Sequence, residues 1–310
     1  MLVLQELLKD TPEIVQRTVS LCVYLYSWYF GFLIVSLFMR YDPGVKGDVP
    51  RSIRVRNFTL GHPERAWDKE TLCELTYSFM NLVLFGALKV FCLIALQKHV
   101  LVPYLPVRIF QAEIAAMPVW IQVILALLIL DFALYIRHRF VHEFCWPFHA
   151  VHHSAPRISW TTADRLHPID NLIMGAINLV VLHVLGFRGE GMVYAVMIKQ
   201  FLNYFNHSNI VLDYGFPLRY IFVSPNMHRW HHATTKDAIN KNYCIIFSFY
   251  DVLFGTFYVP EGQVPSKYGS GYEPDKRFLA HPNYLDDFVY PFKMIAHNWR
   301  AKRAEKKKPG

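Results

Sequence analysis

The chain has 310 residues, of which 53% are hydrophobic and 18% are charged, and its formal net charge is +8. A soluble domain usually carries about 25% charged residues, so this composition argues against soluble domains and indicates one membrane-embedded unit. The basic residues concentrate at 40–65 and in the tail from Lys293 to Lys308, beside apolar stretches. This placement is typical of contact with anionic lipid head groups and argues against a nucleic-acid-binding groove.

Five apolar segments predict membrane helices, because a spanning helix needs about 20 mostly apolar residues. Three are long enough to cross a bilayer, and two shorter ones predict a helical hairpin that turns at 188–190 and need not cross fully. No secretory signal is expected ahead of the first segment, since charged residues are spread through 1–18. The five segments are 19–39, 72–96, 117–136, 171–187 and 192–205.

The basic residues also predict the orientation, because cytosolic loops are enriched in lysine and arginine. The loop at 40–56 is basic and is therefore placed in the cytosol. The third span then returns Arg137 and His138 to the cytosolic side, and the hairpin returns His207 and the basic tail to the same side. The sequence thus predicts an all-α polytopic membrane protein with four to five membrane helices and a cytosolic, histidine-rich helical cap.

Eight of the fifteen histidines fall in three short motifs with ligand-like spacing. Residues three or four apart share one face of a helix, so each motif can direct two or three imidazoles at a common point. Imidazole binds iron, zinc, copper and nickel, and eight such histidines suit two metal ions held between helices. The motifs are His138-x-x-x-His142, His149-x-x-His152-His153 and His228-x-x-His231-His232.

Three further residues are candidates for the same site. His167 and His207 lie near the motifs and are predicted to be additional ligands, with structural hydrogen bonding as the alternative. Asp131 lies two helical turns before His138 on the same face, so its carboxylate is predicted to accept the other ring N–H of a ligating histidine. The alternative for Asp131 is the lining of a polar cavity. His183, on an apolar segment, is predicted to be a hydrogen-bonded core residue, and the five cysteines are predicted to be reduced structural thiols.

The order of the three motifs after a membrane span resembles the fatty acid hydroxylase superfamily, also called the sterol desaturase superfamily. The similarity covers roughly residues 75–260, and the chain looks closest to bacterial and alkylglycerol monooxygenase-like members. The text around the motifs is similar as well: HAVHHS at 149–154, RLHP at 165–168, SPNMHRWHHA at 224–233, NKN at 240–242 and DVLFGTFY at 251–258.

The resemblance implies a membrane enzyme with two non-haem iron ions and a mostly histidine ligand set, which uses O2 and two electrons to hydroxylate an unactivated carbon of a lipid. It also implies three parts: an N-terminal membrane anchor and basic loop (1–70), a fatty acid hydroxylase-like di-iron domain (71–260) and a cytosolic tail (261–310). No dinucleotide fingerprint G-x-G-x-x-G is present, so the electrons are expected from a separate donor, such as a cytochrome b5-like protein or a ferredoxin and reductase chain.

Several alternatives stay open at this stage. Desaturation of a lipid or sterol is possible on the same site, because the superfamily contains both activities. A zinc hydrolase, a metal-binding or transport protein and a haem b protein are less well supported, since HExxH is absent and the histidines cluster at one surface. A bacterial inner membrane is favoured by the resemblance, whereas the terminal lysines fit retrieval to the endoplasmic reticulum in a eukaryote.

Overall fold

The part of the chain that the structure describes is mainly helical. The computed structural model describes residues 69–187, 189–208, 210–270 and 283–305. Within these ranges there is no β-strand, and one antiparallel bridge joins Ala233 to Tyr268. The prediction of a mainly helical chain is confirmed. The predicted first span at 19–39 and the basic loop at 40–65 lie outside the described residues.

The described helices are labelled α1 to α11 in chain order. Two π-helical turns, Met80–Leu84 and Gln97–Leu101, join the first three of them end to end. The helices are α1 Lys69–Phe79, α2 Phe85–Leu96, α3 Val102–Tyr104, α4 Gln111–Ala116, α5 Val119–Phe144, α6 Trp146–His153, α7 Pro168–Leu185, α8 Gly189–Asn206, α9 Pro225–His231, α10 Phe249–Leu253 and α11 Tyr284–Glu305.

Three helical segments are long and apolar enough to cross a membrane: Phe85–Tyr104, Val119–Phe144 and Pro168–Leu185. The first begins later than the predicted span at 72–96. The reason is that Glu70 and Glu74 are buried against another part of the protein, so the α1 turns belong to the protein interior rather than to a lipid-facing span. The sequence predicted four to five membrane helices, and the described residues contain three helical segments that could span a membrane.

The helices α2, α5, α7 and α8 form a bundle in which α5 and α8 run in one direction and α2 and α7 run in the other. Small residues allow close packing between α5 and α8, since Ala126 and Ala195 are fully buried where these helices meet. Between α7 and α8 the chain turns at Gly186, which has φ +90, a conformation that favours glycine. A Cβ there would lie 2.7 Å from the Gln111 Cα. The hairpin therefore turns just before the predicted position.

One end of this bundle carries the cap formed by α6, α9 and α11. The C-terminal ends of α5 and α8 and the N-terminal end of α7 all reach it. The buried guanidinium of Arg165 joins α11 of the cap to α1, because it donates to Glu70 on α1 and, over 3.2 Å, to Asp287 on α11. Helix α11, in the segment predicted to be a tail, packs on α6 through Tyr290 and Met294.

Candidate metal centre

Nine histidines converge at the capped end of the bundle and form two adjacent clusters. In each cluster the potential ligand nitrogens all lie within 4.8 Å of one another. The clusters touch, since the rings of His153 and His232 are stacked with centroids 4.5 Å apart. The five-histidine cluster contains His138, His142, His149, His153 and His231, and the four-histidine cluster contains His152, His207, His228 and His232.

The two H-x-x-H-H motifs divide their histidines between the clusters in opposite ways. In α6 the first and last histidines, His149 and His153, join the five-histidine cluster, and His152 joins the other. At α9 the first and last, His228 and His232, join the four-histidine cluster, and His231 joins the other. Residues four apart share a helix face, and the residue one position earlier points about a quarter turn away, so one short helix can serve two ions.

Hydrogen bonds fix the tautomer of several rings. The Nδ1 atoms of His138 and His231 donate to the carbonyl oxygens of Tyr243 and Lys241 over 2.7 and 2.8 Å. His207 Nδ1 donates to the carbonyl of Asn203 over 2.8 Å. A carbonyl oxygen only accepts, so in a neutral ring the opposite nitrogen, Nε2, keeps its lone pair. This is the arrangement that outer hydrogen bonds impose on metal-ligating histidines.

The ring nitrogens fit metal ions better than they fit one another. Nε2 of His138 lies 3.0 Å from Nε2 of His149, whose Nδ1 donates to Asp170. Both Nε2 atoms therefore present lone pairs, and neither can donate to the other. A cation between them removes this repulsion, since two imidazole nitrogens about 2.1 Å from one ion and at right angles lie about 3 Å apart.

Two further observations agree with metal binding. In the four-histidine cluster, Nε2 of His207 lies 3.1 Å from His152 Nε2 and 2.9 Å from His228 Nε2, again with its own Nδ1 already donating. In the five-histidine cluster, Nε2 of His142, His153 and His231 is buried without a hydrogen-bond partner. Unpartnered buried nitrogens are costly unless an ion completes them.

Burial keeps the cap histidines neutral, as metal ligands must be. It lowers the pKa of His231 to about 4 and that of His207 to about 3, with hydrogen bonds to backbone carbonyls opposing the shift. For His149, His153 and His232 the pKa lies well below its usual value, first because of burial and then because of the neighbouring histidines. Neutral imidazole at neutral pH leaves a lone pair free for a metal ion.

The structure separates the two predicted ligands outside the motifs. His207, at the end of α8, is part of the four-histidine cluster. His167 is outside both clusters, and the prediction that it binds metal disagrees with its position. Both of its ring nitrogens are engaged, because Nε2 donates to the carbonyl of Phe288 over 3.0 Å and Nδ1 accepts from the amide of Ile169 over 3.2 Å. It caps α7 and holds α11.

Asp131 does not contact a histidine, in contrast to the predicted role. Its two oxygens accept the backbone N–H groups of Ile245, Ile246 and Phe247 over 2.7–3.2 Å. The next residue back along that segment is Cys244, followed by Tyr243, whose carbonyl holds His138. Asp131 therefore positions a loop that in turn positions a ring, and it is a partner of backbone rather than of imidazole.

The carboxylate that holds a clustered histidine is Asp170. Its Oδ2 accepts from His149 Nδ1 over 3.0 Å, and its Oδ1 accepts from the buried guanidinium of Arg137. Sequence reasoning missed Asp170, although it is an acidic residue in the first turn of an apolar helix. Asn240 was also missed: its Oδ1 lies 3.3 Å from His142 Nδ1.

A cavity of about 280 Å³ opens onto the five-histidine cluster. Three of the five rings form part of its wall, together with apolar side chains from α6 and the loop after α9. The four-histidine cluster lies deeper and is buried. The cavity is lined by His142, Trp146, His153, His231, Ala233, Ile239, Asn240 and Gly269.

These features define a class: a helical protein with membrane-length apolar helices and two histidine clusters suited to two metal ions. Residues 123–256 match the family model "Fatty acid hydroxylase". The resemblance found in the histidine motifs is thereby confirmed. No solved structure matches the chain.

Curated relatives agree with this family. The ornithine lipid hydroxylase OlsE of Rhizobium tropici is 35% identical over 165 residues, which are 53% of this chain and 50% of that protein. The alkylglycerol monooxygenase of Caenorhabditis elegans is 30% identical over 45% of this chain and 27% of that protein. The human alkylglycerol monooxygenase is 29% identical over 54% and 41%. The chain spans half or less of the length of these relatives.

Proposed function

We propose that this chain is a membrane monooxygenase that hydroxylates an unactivated C–H bond of a lipid at a non-haem di-iron centre. In the balanced reaction one atom of O2 enters the C–H bond as a hydroxyl group. The other atom leaves as water, with two electrons and two protons from an external donor. Nine histidines hold the metal: the five-histidine cluster takes one ion and the four-histidine cluster the other.

The observation that carries this proposal is the pair of touching clusters with facing lone pairs. One zinc ion with a hydrolytic role needs three protein ligands and an open position, which would leave most of these histidines without a function. When bound, two iron ions supply the O2 activation that no protein side chain can perform, because a hydrocarbon C–H bond does not respond to acid–base chemistry.

The side chains of this protein orient the ligands and exclude water. The carbonyls of Tyr243 and Lys241 and the carboxylate of Asp170 hold three rings with Nε2 directed inward. The negative charge of Asp170 is balanced by Arg137. Burial of the four-histidine cluster keeps bulk water from the deeper ion, so the substrate approaches from the cavity at the five-histidine cluster.

The proposed substrate is an amphiphilic lipid. The names of the relatives state an ornithine lipid in one case and alkylglycerols in others, and both combine a polar head with long hydrocarbon chains. In the cavity, Trp146, Ala233 and Ile239 supply an apolar wall beside three imidazoles. Hydroxylation is favoured over desaturation because these relatives are named as a hydroxylase and as monooxygenases.

The electrons are proposed to come from a separate redox protein at the cytosolic face. No G-x-G-x-x-G fingerprint for a dinucleotide occurs in the sequence, and the exposed basic side chains of Lys293, Arg300 and Arg303 on α11 offer a surface for an acidic carrier. Support for the cytosolic side comes from Arg137 and Arg139, which lie at the same bundle end as the clusters, because cytosolic helix ends are enriched in basic residues.

The first test is the metal content of the full chain, purified in mild detergent from iron-replete cells. We expect close to two iron atoms per chain and no Soret absorption. The His231→Ala variant should hold less iron at the same yield. One zinc and no iron, persisting after reconstitution with ferrous iron, would overturn the di-iron assignment.

The second test is the lipid profile of cells that produce the chain. Lipids that gain one oxygen atom should accumulate with the unaltered chain and be absent with His152→Ala, which is expected to leave membrane insertion intact. Growth under 18O2 should place the label in the product. A product with two hydrogens fewer and no label would instead identify a desaturase.

A further inference from the structure

Large apolar side chains are exposed on two segments that lie side by side beyond the histidine clusters. Phe216 is 86% exposed and Leu253 is 71% exposed, which is unusual for residues of this size in water. Residues in or beside the two segments hold them together, because the amide of Val223 donates to the carbonyl of Ile246 over 2.9 Å and Tyr220 packs on Phe257. We call residues 216–222 together with 252–254 the apolar wedge; its other exposed apolar members are Leu218, Tyr220, Ile221, Phe222, Val252 and Phe254.

The charged side chains of these segments point inward. Arg219 pairs with Asp213 over 3.2 Å and donates to the carbonyl of Val259 over 2.8 Å. Asp251 is fully buried and accepts the amides of Tyr243 and Cys244. The outer surface therefore offers hydrocarbon while the charges are satisfied inside, the opposite of the pattern expected of a surface that faces water.

The wedge lies beside the part of α5 that is at bilayer depth. The ring of Phe254 stacks on Phe132 with centroids 6.1 Å apart, and Tyr250 OH donates to the carbonyl of Leu128 over 3.1 Å. Helix α5 has 26 residues and is about 39 Å long, more than the roughly 30 Å of a hydrocarbon core. With His138 at the membrane surface, Phe132 lies about 9 Å below it at 1.5 Å per residue.

The backbone N–H groups next to the wedge are hydrogen-bonded within the protein, as a membrane interior without water requires. The irregular segment at 245–247 donates its three amides to Asp131 on α5. Non-helical backbone is tolerated at membrane depth only where its polar groups are satisfied inside the protein. Asp131 and Asp251 meet this condition on the two sides of the same segment.

From these contacts we propose that the apolar wedge inserts into the acyl-chain region of the leaflet at the capped end of the bundle, where it extends the lipid-facing surface of α5. The occupant of this surface is the bilayer itself. The inference does not depend on the oxidation chemistry. It revises the cap predicted from sequence, because α10 and the loop before α9 then lie within the membrane rather than above it.

The test uses the full chain in phosphatidylcholine and phosphatidylglycerol vesicles that contain a phospholipid with a photoactivatable diazirine in its acyl chain. After irradiation, labelled peptides are mapped by mass spectrometry. We expect label on 216–222 and 252–254, as on the Trp120 and Ile124 surface of α5, which serves as the positive control. The exposed stretch 261–264 serves as the negative control.

Two results would overturn the proposal. One is label on the α5 surface with none on the wedge. The other is crosslinking of the wedge to a second copy of the chain in place of lipid, which would identify a dimer interface. If the proposal is correct, a phospholipid with the diazirine in its head group should leave the wedge unlabelled.

A matched pair of variants sharpens the result. Leu253→Glu should lower acyl-chain labelling of the wedge several-fold, whereas Val264→Glu, at a residue that is exposed outside the wedge, should leave it unchanged. The metal content of both variants reports whether the histidine clusters are intact. If Leu253→Glu loses its metal, the labelling of the unaltered chain decides the question.

Discussion

Asp170 connects a clustered histidine to a buried cation: its Oδ2 lies 3.0 Å from His149 Nδ1, and its Oδ1 accepts from the Arg137 guanidinium. The three side chains come from α7, α6 and α5, so one carboxylate ties the five-histidine cluster to two helices of the bundle. Such an outer contact fixes the ring orientation of a ligand and raises its basicity.

We therefore expect Asp170→Asn to weaken metal binding by about 10- to 100-fold. The amide keeps the shape of the side chain but leaves the buried Arg137 without its counter-charge, which costs about 3–5 kcal/mol. Iron titration of the metal-free protein and thermal unfolding in detergent measure the two effects. Unchanged iron affinity with lowered stability would show that Asp170 supports only the bundle.

His207 and His167 form a matched pair, since both are single histidines outside the three motifs. The structure places only His207 in a cluster. We expect His207→Ala to lose about half of the bound iron and nearly all activity. His167→Ala should keep both ions and lose about 1 kcal/mol of stability, the usual contribution of a helix cap. Elemental analysis of the two variants measures this difference, and equal iron loss in both would contradict the cluster assignment.

Asp131 is predicted to matter through the backbone it holds. Asp131→Ala leaves the amides of Ile245, Ile246 and Phe247 buried without an acceptor, at about 1–3 kcal/mol each. Asp131→Asn keeps one acceptor oxygen and should be intermediate. The melting temperature should be highest for the unaltered chain, lower for Asp131→Asn and lowest for Asp131→Ala. Because Tyr243 lies on the same loop, the iron content should fall in the same order, and an unchanged melting temperature in the alanine variant would refute this role.

Acid is expected to destabilise the metal-free protein below about pH 6.5, the ordinary histidine pKa. Burial lowers the pKa of His231 to about 4 and that of His207 to about 3 in the folded chain. The unfolded chain therefore binds more protons in this range, and stability is lost as the pH falls toward these values. Thermal unfolding of chelator-treated protein between pH 8 and 5 measures the slope. A stability independent of pH over this range would contradict the neutral, buried state of the rings.

The histidine clusters were largely predictable because their spacing is local. Residues three and four apart must lie near one another on a helix, whatever the rest of the fold does. The division of each H-x-x-H-H motif between the two histidine clusters was not predictable, since it depends on how α6 and α9 face each other. Nor could spacing distinguish His167 from His207, because their partners, Phe288 and His228, are distant in the chain.

Non-local contacts also explain the two largest differences in the fold. The second span begins later than its apolar pattern predicts because Glu74 is bound by Thr161 and Thr162, which lie far along the chain. Asp131 lies on the same helix face as His138, as predicted, but its carboxylate binds the backbone amides of the irregular segment at 245–247 instead of a histidine. Hydropathy and periodicity identify buried polar residues, but they do not identify their partners.

The last prediction concerns the cavity, which is the open route to the five-histidine cluster. Ile239 lies on its wall, whereas Val264, which is similarly exposed, does not. We expect Ile239→Trp to narrow the cavity and reduce lipid hydroxylation at least tenfold while two iron ions remain bound. Val264→Trp should have little effect.

The kinetic pattern distinguishes a blocked route from a damaged centre. A narrowed cavity should raise KM most for bulky lipids and spare a short-chain analogue, because that analogue still reaches the rings. Loss of kcat for every substrate together with loss of iron would mean that Ile239 supports the cluster instead. Full activity of Ile239→Trp on all lipids would place the substrate route elsewhere, most directly between the spanning helices.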